Sequence, residues 1–101
     1  MTTLHIENTV HDYETWEQTF DKFESFRADN GVRSYRLSRG VEDPNRVTID
    51  LEFGSRQEAE TFVPLLEKIW ATPQSRDQLV SHGTPTLLEV VRDRALVASA
   101  S

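Results

Sequence analysis

The most regular stretch of the chain runs from Arg46 to Phe53, where Val47, Ile49, Leu51 and Phe53 alternate with Thr48, Asp50 and Glu52. A period of two puts the four apolar side chains on one face of a strand. The other face is polar, so the sheet is covered on one side only. Ser55-Arg56-Gln57-Glu58 follows at once. Ser55 can accept from the backbone N–H of Glu58, and the Glu58 carboxylate can reach back to the N–H of Ser55. This capping box starts a helix. Ala59, Phe62, Val63, Leu66, Ile69 and Trp70 share one side of that helix, which must fold back on the apolar face of the strand. Pro64 lies inside it. An interior proline removes a backbone bond and costs about 3 kcal/mol. The apolar spacing continues through Pro64, so the pattern predicts a kink rather than a restart.

The same reading extends in both directions. Leu4, Ile6, Asn8 and Val10 alternate with His5, Glu7 and Thr9, which predicts a first strand with one polar member, Asn8, on its apolar side. Asp12 suits an N-cap. Tyr13, Trp16, Phe20, Phe23 and Phe26/Arg27 then recur at three- and four-residue steps, predicting an amphipathic helix from Tyr13 to Asp29. Gly31 suits the left-handed position that ends it. Val32 to Arg39 reads as a second strand, with Tyr35 and Leu37 on the covered face. Glu42-Asp43-Pro44-Asn45 is turn chemistry that joins it to the third strand as a hairpin. Thr72-Pro73 resembles an N-cap followed by proline at the first helical position, predicting a short helix from Pro73 to Ser81 that ends at His82-Gly83. Thr86 to Arg92 is the expected last strand. Residues 1–92 read as one domain and residues 93–101 as a tail, small and polar apart from Leu96 and Val97, that is mobile or docks on a partner. Each half reads βαβ. Right-handed crossovers place the first and third strands in the middle as parallel neighbours, with both helices on one face.

Composition narrows the function classes. A chain of 101 residues buries roughly two-thirds of its unfolded surface, enough for one modest core. Cysteine is absent, which excludes disulfides, thiolate metal sites and a cysteine nucleophile. Met1-Thr2-Thr3-Leu4-His5 has no basic region or signal-like apolar run, and no stretch approaches the ~20 apolar residues of a membrane span. The expectation is a soluble, cytoplasmic protein. A net charge of −6 and a pI near 4.9 oppose nucleic acid and anionic membranes as partners, because both reward clustered Lys and Arg.

Several side chains could carry chemistry. Asn8 faces the helices; a buried amide there either bonds a loop or helix end, or donates to a ligand oxyanion. Trp16, Trp70, Tyr13, Phe20, Tyr35 and Phe62 either pack as core or wall a pocket for an aromatic ligand. His82 either caps the short helix through its dipole or acts as a general base above the pocket mouth. His5 and His11 lie on the open face and in a loop, and no chemistry is assigned to them. No two histidines share a helix face at i, i+4, so no metal site is expected. No phosphate loop or serine-nucleophile elbow appears, and no cofactor is expected.

The chain resembles the dimeric α/β-barrel proteins, in particular the antibiotic-biosynthesis-monooxygenase-like group. The resemblance rests on Val10-His11-Asp12-Tyr13-Glu14-Thr15-Trp16, Gly31-Val32, Asp43-Pro44-Asn45-Arg46-Val47, and Phe53-Gly54-Ser55 through Glu58-Ala59 and Phe62. It implies an α+β, ferredoxin-like βαββαβ fold with a four-stranded antiparallel sheet, paired through open sheet faces into a homodimeric barrel. It also implies a pocket between helices and sheet for a small hydrophobic or aromatic molecule. The group includes cofactor-free monooxygenases of polycyclic phenols, polyketide cyclases and haem degraders. Haem degraders use an Asn, a Trp and a His in the chain order of Asn8, Trp70 and His82, but His82 lies too near the last strand for that pattern, and haem is not carried over. The expected function is a cofactor-independent monooxygenase of an aromatic or polyketide-type compound, with Asn8, Trp70 and His82 as catalytic residues and Tyr13, Trp16, Phe20, Tyr35 and Phe62 binding substrate. The alternatives are a cyclase or a non-catalytic binding or structural dimer. In the homodimer, Arg36 and Arg92 are expected to pair the acids of the open face, which carries His5, Glu7, Thr9, Ser34, Thr48, Asp50 and Glu52, with Leu87, Glu89 and Val91 or their strand neighbours.

Overall fold

The alternating stretches become an antiparallel sheet. A computed structural model describes residues 1–98, and the elements are β1 (Thr2–Val10), α1 (Tyr13–Lys22), α2 (Glu24–Asp29), β2 (Val32–Arg39), β3 (Arg46–Phe53), α3 (Arg56–Trp70), α4 (Pro73–Arg76), β4 (Leu79–His82) and β5 (Thr86–Glu89). The sheet runs β2-β3-β1, and the far edge of β1 is shared by β4 and β5. Asn8 stands opposite His82, and His5 stands opposite Thr86. The ferredoxin-like topology is therefore present, with its last strand divided in two.

Several expectations need correction. The first and third strands are neighbours but antiparallel, with Ile6 opposite Ile49. The reason is the hairpin: β2 runs in the direction of β1 after its crossover, and the tight turn reverses β3. The expected helix from Pro73 to Ser81 stops at Arg76, and Leu79–His82 forms β4 instead. This short segment gains backbone bonds from the unpaired edge of β1, which its own pattern does not reveal. The chain then leaves the ladder at Gly83, whose N–H bonds the Glu7 carbonyl at 2.7 Å, and rejoins as β5. The last strand ends at Glu89 rather than Arg92; Val91, Leu96 and Val97 are exposed, and residues 99–101 of the expected tail lie outside the described residues.

The expected helix from Tyr13 to Asp29 breaks at Phe23, which has φ −99° and ψ 13°. Its last turn, α2, carries Arg27 into the interior. Gly31 has the expected positive φ, at 96°. Helix α3 runs through Pro64 without a restart. The Ser55 hydroxyl accepts from the Glu58 N–H at 3.2 Å, while the Glu58 carboxylate accepts from the Ser55 hydroxyl rather than from its backbone N–H.

The core sits between the sheet and the helices. Leu4, Ile6 and Val10 of β1 and Val47, Ile49, Leu51 and Phe53 of β3 meet Trp16, Ala59 and Phe62 there. Among the described residues, no helix is long and apolar enough to cross a membrane.

Candidate functional site

The aromatic face of α1 does not close completely on the sheet. A cavity remains between β1, α1, α2 and α3, walled by Trp16, Phe20, Phe62 and Trp70. Trp16 and Phe20 lie 5.1 Å apart between ring centroids, and Phe62 leans on Phe53 at 5.5 Å. The space open to water centres is about 70 Å³, within about 590 Å³ of empty volume that includes the open mouth. One water needs roughly 10–15 Å³ of such space, so the enclosed part holds a few waters or a compact ligand group. A larger ligand must extend into the mouth or move a wall.

Asn8 enters this cavity from β1. It is 4% exposed, and neither Nδ2 nor Oδ1 has a hydrogen-bond partner among the described residues. The amide therefore does not bond a loop or helix end. Leaving a buried polar group unsatisfied costs about 1–3 kcal/mol. Gln78, in the turn before β4, also lines the cavity. Its Nε2 donates to Thr19 Oγ1 at 2.7 Å, and its Oε1 has no partner among the described residues.

Arg27 also reaches the cavity. Its guanidinium carbon lies 3.6 Å above the centre of the Phe20 ring, a cation–π contact. Burial pushes its pKa down, while Tyr35 and Glu24 pull it back up; an arginine nevertheless keeps its charge in a protein.

The other expected site residues stand elsewhere. Tyr13 packs on Trp16 at 5.9 Å, under the Arg39 guanidinium, and does not line the cavity. Its hydroxyl donates to Glu17, and that bond, with burial, pushes its pKa up to about 12. Tyr35 is 37% exposed; its hydroxyl donates to Glu24 at 3.3 Å, and burial pushes its pKa up. It meets the edge of Phe20 from outside, at 5.3 Å. His82 is on β4, so it caps no helix. Its ring stacks on Trp70 with centroids 4.3 Å apart and planes at 24°. Trp70 lines both the cavity and the outer cleft where His82 lies. Thus Asn8, Trp16, Phe20, Phe62 and Trp70 line the cavity, whereas Tyr13, Tyr35 and His82 touch its lining residues from outside.

Arg27 and Gln78 were absent from the sequence-based candidates. For Arg27 the signal was present: it falls seven residues after Phe20 and four after Phe23, a charge on an aromatic stripe. For Gln78 there was none, because its place depends on how α4 leads into β4.

No protein-family model matches the sequence, and no curated protein matches it. Solved structures do. SnoaB, a cofactor-independent oxygenase from Streptomyces nogalater, superposes with a TM-score of 0.64 at 18% identity, over 91% of this chain and 94% of that one. A candidate antibiotic biosynthesis monooxygenase from Nitrosomonas europaea gives 0.68 at 12% identity, over 91% and 100%. A dimeric ferredoxin-like protein from an uncultured marine organism gives 0.66 at 10% identity, over 94% and 98%. The chain shares the ferredoxin-like fold of these structures.

Proposed function

We propose that this protein is a homodimeric, cofactor-independent monooxygenase acting on an aromatic or polyketide-type compound, and that the cavity beside Asn8 is its substrate site. The observation that carries this reading is the buried Asn8 amide, unpartnered among the described residues and surrounded by aromatic walls. An amide left unsatisfied at such a cost is retained where a ligand supplies its partner. Its N–H groups suit an enolate or phenolate oxygen, whose negative charge they would stabilise while the ring reacts with oxygen. Trp16, Phe20, Phe62 and Trp70 supply flat apolar surface around the ring. The similarity of the fold to SnoaB, a cofactor-independent oxygenase, supports the reaction class. The open sheet face supports pairing of two copies, as in the dimeric ferredoxin-like neighbour.

His82 takes part in this reading through Trp70. Its imidazole stacks on the indole that walls the cavity, and it stands opposite Asn8 across the strands. The test is oxygen uptake by the purified protein with anthrone-type phenols. Uptake above buffer that falls at least about tenfold in Asn8→Ala supports the reading, and no uptake across such phenols removes it.

A non-catalytic ligand-binding dimer is the second reading, and one observation favours it. The enclosed 70 Å³ is well below the ~300 Å³ of a small ligand pocket. A phenol that binds without oxygen uptake would select this alternative.

A further inference from the structure

Arg27 is a buried charge that lacks an ion pair. The residue is 6% exposed, and none of the ion pairs among the described residues includes it. Tyr35 favours its charge both through space and through a hydrogen bond, and Glu24 and Asp21 through space. Its Nε and Nη2 have no hydrogen-bond partner among the described residues. These two nitrogens form one edge of the guanidinium, where two N–H bonds point the same way. That edge is the one that receives both oxygens of a carboxylate. The Phe20 ring at 3.6 Å stabilises the cation through its π face but satisfies neither donor. A buried charge without a partner is strongly unfavourable, so this edge calls for an anion.

The surroundings narrow the anion. Arg27 lines the same cavity as the Asn8 amide and the Gln78 oxygen, both of which lack partners there. With one cation, the cavity matches a monoanion better than a phosphate dianion. A space of about 70 Å³ admits a flat three-atom head group. The walls beyond it are Trp16, Phe20, Phe62 and Trp70, which suit an aromatic ring reaching toward the mouth.

We propose that the cavity binds the carboxylate of a small aromatic acid, with the Nε–Nη2 edge of Arg27 as its counter-charge. Asn8 then donates to a further oxygen of the ligand, and Gln78 Oε1 accepts from a ligand hydroxyl or N–H. This takes the cavity of the proposed function as its binding site and needs none of its oxygen chemistry.

The test is calorimetric titration of the full-length protein with benzoate, with benzamide as the neutral match and with inorganic phosphate, all at one ionic strength. The expected result is that benzoate binds at least about tenfold more tightly than benzamide or phosphate. Its affinity falls by a similar factor in Arg27→Gln and less in Arg27→Lys. If Arg27→Gln does not fold, the wild-type comparison of benzoate with benzamide decides alone. Equal binding of benzoate and benzamide, tighter binding of phosphate, or no benzoate binding at millimolar concentration overturns the proposal. So does unchanged benzoate affinity in folded Arg27→Gln. The two readings separate cleanly. Benzoate binding without oxygen uptake from phenols removes the monooxygenase and leaves the acid site. Oxygen uptake from phenols with no benzoate binding does the reverse.

Discussion

His5 Nδ1 and Asp50 Oδ1 stand 2.6 Å apart, paired directly across the β1–β3 register on the sheet face away from the helices. Asp50 has a second cross-strand neighbour, Arg36 on β2. Among the described residues Arg36 makes no ion pair. Within one copy of the chain, the imidazole takes one of the acids of the open face, which Arg36 and Arg92 were expected to pair in the dimer.

This pair makes stability depend on pH. The Asp50 hydrogen bond raises the His5 pKa above its ordinary 6.5, against a smaller opposing effect of burial, and Glu7 adds to the rise. A raised folded pKa means that the folded state holds the proton more tightly than the unfolded one. The stabilisation is fully present below the unfolded value and is lost as pH rises through the folded value. The urea midpoint should therefore fall as pH rises above the ordinary histidine range in the wild type, and this part of the fall should vanish in His5→Gln. Identical pH profiles for the two proteins would show that the contact contributes nothing.

Arg36 is exposed on the same face. In the proposed dimer it is available to acids of the second copy, such as Glu7, whose side chain is 72% exposed. Arg36→Ala should weaken self-association about three- to tenfold, the range of a partly desolvated pair. Lys22→Ala, at the exposed end of α1, should leave it unchanged. Sedimentation equilibrium of both variants measures this. A wild-type protein that is monomeric at micromolar concentration would remove the dimer.

Asn8 sets function against stability. Replacing the unpartnered amide by a leucine of similar size removes a desolvation cost of about 1–3 kcal/mol. Asn8→Leu should melt at a higher temperature than the wild type and should lose oxygen uptake. A lower Tm with full activity would mean that the amide serves the fold through bonds formed in solution.

Pro64 offers a change far from the site. It is exposed and sits inside α3, where proline forgoes the backbone bond to Glu60. Pro64→Ala should stabilise the protein by about 1–3 kcal/mol, raising Tm by roughly 5 °C or more, with ligand affinity unchanged. A Tm that falls would mean that Pro64 helps to seat Leu66 and Trp70 at the cavity.

Which features could be read from the chain alone follows from how locally each is determined. The alternation of Val47, Ile49, Leu51 and Phe53 encodes a strand and its buried face because the pleat has a period of two. The caps at Asp12 and Ser55 and the positive φ of Gly31 depend on residues within one turn. All of these were legible, as were the hairpin turn and the aromatic face of the first helix. The order of elements then leaves few topologies open, and the ferredoxin-like arrangement is among them. Asn8 stood out because it breaks the alternation of β1.

The cavity and its charge depended on tertiary packing. Leu79–His82 is a strand because the edge of β1 offers it partners, a long-range effect with no local signature; His82 moves with it from a helix end to the outer face of Trp70. The helix breaks at Phe23, where the sequence carries no strong helix breaker, and Arg27 of α2 lies over Phe20. Whether four large rings close on one another or leave a space between them is a matter of ångström-scale fit. Periodicity names the residues that face inward; it does not determine the volume they fail to fill.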